Sequence, residues 1–167
     1  MPTTTTKTDH IIDTVQSYLA ADTALSVKNV WNEKSFKPTT TAVGNVFVWP
    51  LLDEYGVTAM ENGYGTDVQT MQVGIYCEFF KGNLDLANAG TLTTSYAQYS
   101  ERVEKCITNL NIAARNAGAI SNTTTIGSYT VSITGIEVLS RTGIVDNGER
   151  STAGFVVVLR VHYVQDL

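Results

Sequence analysis

Within the stretch 68–80 the side chains from Thr70 to Phe79 alternate. Met71, Val73, Ile75, Cys77 and Phe79 are apolar, and Thr70, Gln72, Gly74, Tyr76 and Glu78 stand between them. Successive side chains of a strand point to opposite faces, so this pattern predicts a long strand with one buried face. A sheet of that kind needs a second layer, and two helical stripes can supply it. Ile11, Ile12, Val15 and Leu19 mark a short helix, with Thr8 or Asp9 as its cap and an end near Ala21-Asp22. Tyr96, Tyr99, Val103, Cys106, Ile107, Leu110 and Ala114 recur three and four residues apart and mark a longer one. Ser95 with Gln98 makes a capping box at its start, and Gly118 a stop after its end. Glu101, Glu104, Lys105 and Asn109 occupy its other face, for solvent or a partner.

Further strands complete the sheet. The stretch 25–31 is strand-like, with Leu25, Val27 and Trp31 facing inward, and 33–41 is a loop around Pro38. Val46-Phe47-Val48-Trp49 is a short strand that Pro50 should stop, leaving a long glycine-containing loop over 51–67. Near the C-terminus Tyr129, Val131 and Ile133 alternate, and after Gly135 the phase flips to Ile136 and Val138, which predicts a β-bulge. The last strand, 155–164, carries Phe155, Val157, Leu159, Val161 and Tyr163 on one face. Its other face carries Val156, Val158, Arg160, His162 and Val164, so it should lie centrally in the sheet. Between these strands, 140–153 reads as a long hairpin with Asp146-Asn147-Gly148 at its tip. The expected class is α+β: a mixed, mostly antiparallel sheet packed by one long amphipathic helix and a short N-terminal helix. The Thr-rich residues 1–8 read as a flexible arm, and 9–167 as a single domain.

No constellation in the sequence points to catalysis, a cofactor or a metal. His10 sits beside the arm, and His162 has Arg160 as its same-face neighbour, with no cysteine or carboxylate at ligand spacing. Asp53-Glu54 is a lone acidic pair. Gly63-Tyr64-Gly65 lacks the third glycine of a dinucleotide motif and the Gly-Lys-Ser/Thr of a phosphate loop, and its strand follows instead of preceding it. Cys77 and Cys106 fall in apolar patterns and read as free buried thiols. The net charge is −5 and the cations are scattered singly, so there is no footprint for gripping nucleic acid. No apolar run approaches the length of a membrane span, and the N-terminus has no apolar leader core, so a cytoplasmic site of synthesis is expected. Charged residues make up only 16% of the chain against 43% hydrophobic. So few charges suit a surface that neighbouring subunits cover.

The order of segments, IIDTVQSYL, VQTMQVGIYCEFF, YSERVEKCITNLNIAA, and the closing pair SYTVSITGIEVL and AGFVVVLRVHYV, resembles the tail terminator (tail completion or neck) proteins of long-tailed bacteriophages. The resemblance spans nearly the whole chain and lies in layout, without a diagnostic motif. It implies a structural virion protein, not an enzyme, that forms a ring, usually of six subunits. The ring caps the tail tube and joins it to the head connector in the neck of a virion assembled in the host cytoplasm. The implied partners are further copies of the chain, the tail tube protein, the head-connector and neck proteins, and the tail sheath where one exists. Genome DNA would pass through without specific binding. Another structural component of the same machine, a head-completion or stopper protein or a tube protein, shares the small α+β character. An enzyme would need groups carried in 51–67 and 140–153.

A ring of this kind must touch its sister subunits, the tube and the connector. The segments beyond what packing needs are the arm, loop 51–67 and the hairpin. On the hairpin, Ile144 and Val145 are the expected apolar anchor, with Arg141, Asp146, Glu149 and Arg150 as polar contacts.

Overall fold

The computed structural model describes residues 6–29, 44–54, 67–80, 89–116, 123–126, 129–143, 145–147 and 152–166. Among these residues two helices and seven strands follow one another as α1 (Lys7–Ala20), β1 (Leu25–Asn29), β2 (Gly44–Glu54), β3 (Asp67–Phe80), α2 (Ala89–Arg115), β4 (Thr123–Ile126), β5 (Tyr129–Arg141), β6 (Val145–Asn147) and β7 (Thr152–Asp166). The strands form one sheet in the order β1-β2-β3-β7-β5-β4, with β6 also on β7. Among the described residues β1 and β2 run parallel and the other pairings are antiparallel. The fold is the expected α+β class, with β7 central between β3 and β5.

The alternation of β3 and β7 determines which face is buried. Met71 faces Val161, Val73 faces Leu159, Ile75 faces Val157 and Cys77 faces Phe155. All eight are buried, and the apolar stripes of α1 and α2 join them in one core. Each fully buried Val, Ile or Leu there contributes about 1.5–3 kcal/mol. The hydroxyl of Tyr99, from α2, donates to the Asn45 carbonyl at 2.6 Å. Its ring meets Phe155 edge-on.

Asp22 ties the two helices together just past the end of α1. It accepts from the Ala24 amide at 3.0 Å and from the Arg102 guanidinium of α2 at 2.8 and 2.9 Å. Burial alone would raise the Asp22 carboxyl, but the Ala24 amide and Arg102 outweigh it and hold the pKa below the usual value.

Several expectations need correction. Thr6, Lys7 and Thr8, expected in an arm, instead cap and open α1, and 1–5 lie outside the described residues. The cap is Thr6, not Thr8 or Asp9. Asp9 is its capping-box partner, receiving the Thr6 amide at 3.1 Å and returning its own to the Thr6 hydroxyl at 3.2 Å. His10 therefore lies in the helix and is buried. Helix α2 begins at Ala89, so Ser95 and Gln98 are interior to it and form no cap.

Pro50 does not stop β2, which runs on to Glu54. β1 pairs β2 only as far as Val48, and the register against β3 slips between Pro50 and Leu52. A proline with no N–H to give is tolerated at such a bulge on an edge. The short strand β4, three threonines and an isoleucine, has no alternating apolar pattern and was not expected. The bulge at Gly135 is present, with Ile133 facing Tyr163 and Gly135 facing His162. Trp31 and loop 33–41 lie outside the described residues.

Candidate functional site

The segment expected as a 14-residue hairpin loop over 140–153 contains strand residues at both ends and within it. β5 runs through Arg141, and β6 pairs back on β7 with Val145 opposite Gly154, Asp146 opposite Ala153 and Asn147 opposite Thr152. Asp146 and Asn147 are therefore strand residues and not the turn. Residues 148–151 lie outside the described residues. Ala153, expected in the loop, is fully buried.

The expected contact residues fall into three groups. Val145 is 47% exposed, as an apolar anchor requires. Arg141 is exposed, but its guanidinium already pairs with Glu104 of α2 and lies over the Tyr96 ring, 5.9 Å from the centroid. It braces the base of the hairpin against α2. Ile144, Glu149, Arg150 and the side chain of Asp146 lie outside the described residues, as do 55–66, including Gly63-Tyr64-Gly65, and the side chains of Asp53 and Glu54.

The second face of the sheet divides into two halves. Toward the hairpin it is aromatic: Phe47 stacks on Tyr76 at 6.1 Å, and Trp49 lies across the bare backbone of Gly74. A methyl at Gly74 would meet the Trp49 indole at 2.7 Å, so glycine is what lets the ring lie flat there. Toward the other end it is charged. Glu137 stands opposite Arg160 and brings its carboxylate 3.4 Å from the guanidinium and 3.5 Å from His162 Nε2. Sequence spacing found Arg160 beside His162 but missed Glu137, which reaches them from the neighbouring strand. Only the register across the Gly135 bulge makes them neighbours. Such a cluster on a half-exposed face orients a contact more than it strengthens one.

Chemical reactivity is low where the nucleophiles lie. Cys77 is fully buried and burial pushes its thiol well above the ordinary value, with Tyr99 opposing slightly through a hydrogen bond. Tyr99 is itself raised well above 10.0, first by burial and then by the nearby Cys77 and Glu78. Cys106 is buried in the α1–α2 seam near the Leu19 carbonyl and is raised by burial and by Asp22. Both cysteines are free. Among the described residues no three His, Cys, Asp or Glu side chains gather where a metal could sit. No described helix is long and apolar enough to cross a membrane.

No family model matches the chain, and no curated protein matches it either. One solved structure, of a protein whose name states no function, aligns with 95% of this chain and 92% of its own. The identity is 12% and the TM-score 0.41, too low for the likeness to carry an argument about function.

Proposed function

We propose that the chain is a structural protein of a long-tailed bacteriophage that forms a closed ring, ends the tail tube and joins it to the head connector. The observation that supports this reading best is the order of elements. A short helix, a long alternating strand, one amphipathic helix and a closing hairpin pair with a bulged first strand follow each other as in the layout that carries the resemblance. The composition points the same way, since few charges leave faces that suit subunit contacts. In this reading the hairpin, led by Val145, meets the neighbouring copy of the ring. Six copies close it, and DNA passes through the centre without specific contacts. A head-to-tail contact between identical subunits closes into a ring only when its rotation does, and otherwise continues as a filament. A terminator must therefore stop at one ring where a tube protein would continue.

Native mass spectrometry of the protein with isolated tail tubes, and electron microscopy of the products, test the proposal. One ring per tube end is expected. A strict monomer absent from finished virions refutes the reading, and open-ended polymerisation replaces it with that of a tube protein.

A further inference from the structure

We propose that Thr142 is a joint that fixes the direction in which the closing hairpin leaves the sheet, with α2 as its clamp. β5 ends with Arg141 opposite Val157, and Thr142 continues the ladder by donating its N–H to the Val156 carbonyl at 2.9 Å. The return bond is different. The Val156 N–H goes to the Thr142 side-chain hydroxyl, also at 2.9 Å, and not to a main-chain carbonyl. The Thr142 carbonyl is thereby turned toward α2, where it accepts from the Tyr96 hydroxyl at 3.4 Å. Pairing resumes at Val145 opposite Gly154, one residue out of step with β5. The hydroxyl thus satisfies an amide that the slipped register would leave open.

The clamp is tied to the core. The Tyr96 ring packs edge-on against the fully buried Phe155 at 5.2 Å, and Arg141, held by Glu104, covers it. Valine has the shape of threonine but cannot accept the Val156 N–H, whereas serine can. The consequence is a hairpin whose exposed Val145 is presented in one direction. Its role in assembly rests on the ring reading: a preformed arm has less conformational freedom to lose when it meets the neighbouring copy.

Hydrogen exchange by nuclear magnetic resonance on the isolated protein tests the joint. Thr142→Val should speed exchange at the Val156 amide about tenfold and loosen the β6 amides, while Thr142→Ser stays within about twofold of the parent. Tyr96→Phe removes the clamp and keeps the Thr142 hydroxyl, so it should loosen β6 but leave Val156 protected. Unchanged Val156 exchange in Thr142→Val, or Thr142→Ser exchanging as fast as Thr142→Val, overturns the joint. In complementation, Thr142→Val should lower the yield of joined particles and Thr142→Ser restore it. Normal joining with a loosened hairpin overturns the assembly role of the joint while the ring stands. Absence of the parent protein from virions removes the ring reading and leaves the exchange result intact.

Discussion

Gly44 opens β2 directly beneath Tyr99, and replacing it by alanine should be among the costliest one-carbon changes in the chain. The new methyl would overlap the hydroxyl-bearing edge of the Tyr99 ring, far closer than the 3.4 Å at which ordinary contact begins. The ring cannot give way freely. It is 3% exposed, its hydroxyl is tied to the Asn45 carbonyl at 2.6 Å, and it meets Phe155 at 5.6 Å. Overpacking of this kind costs about 1–3 kcal/mol. A strained hydrogen bond adds about 1 kcal/mol. Alanine's lower backbone entropy in the unfolded chain offsets up to about 1 kcal/mol. The net expectation is a loss of about 1–4 kcal/mol. At about 2–4 °C per kcal/mol for a domain of this size, the melting temperature should fall by roughly 2–16 °C. Urea unfolding of Gly44→Ala, Tyr99→Leu and the double variant gives the coupling. Tyr99→Leu removes the ring atoms that collide, so the alanine should cost much less in that background. A Gly44→Ala protein as stable as the parent, or an equal penalty in both backgrounds, would refute the reasoning.

Three further outcomes follow from the same geometry. Cys77 and Cys106 should resist thiol reagents in the native protein and react fully in denaturant, because both are buried with their thiols pushed up; rapid labelling of Cys77 in the folded state contradicts this. Stability should fall at alkaline pH. The Tyr99 phenol is raised above its ordinary 10.0, so its contribution is complete below that value and is lost as pH rises through the folded-state pKa; Tyr99→Phe should flatten the stability profile above about pH 10 in a denaturation series. Glu137→Gln should cost no more than about 1 kcal/mol, and less in high salt, since the cluster it forms with Arg160 and His162 is solvent-exposed; a larger loss in calorimetry would show that the second face is more buried than its side chains indicate.

The elements most legible in the sequence were those whose pattern reports burial directly. In β3 and β7 one face is packed under the helices, so period-two alternation survives selection for the core and can be read without knowing the partner strand. Helix α2 declares its face for the same reason. The phase flip at Gly135 announced a bulge because a single extra residue moves every later side chain to the other face.

Other features have no local signature. Thr123–Ile126 is a strand because β5 offers it a pairing edge. Asp146 and Asn147 are a turn pair by composition, yet β7 holds them in a ladder. Pro50 would end a central strand but rides through at a bulge where β1 no longer pairs. The same applies to function-bearing contacts. That Arg141 is held by Glu104, that Glu137 joins Arg160 and His162, and that the Thr142 hydroxyl takes the Val156 amide all depend on which strands are neighbours and in what register. Burial acts on each residue where it stands and so leaves a periodic trace in the chain. Pairing joins residues far apart in the chain, and only the folded sheet brings them together.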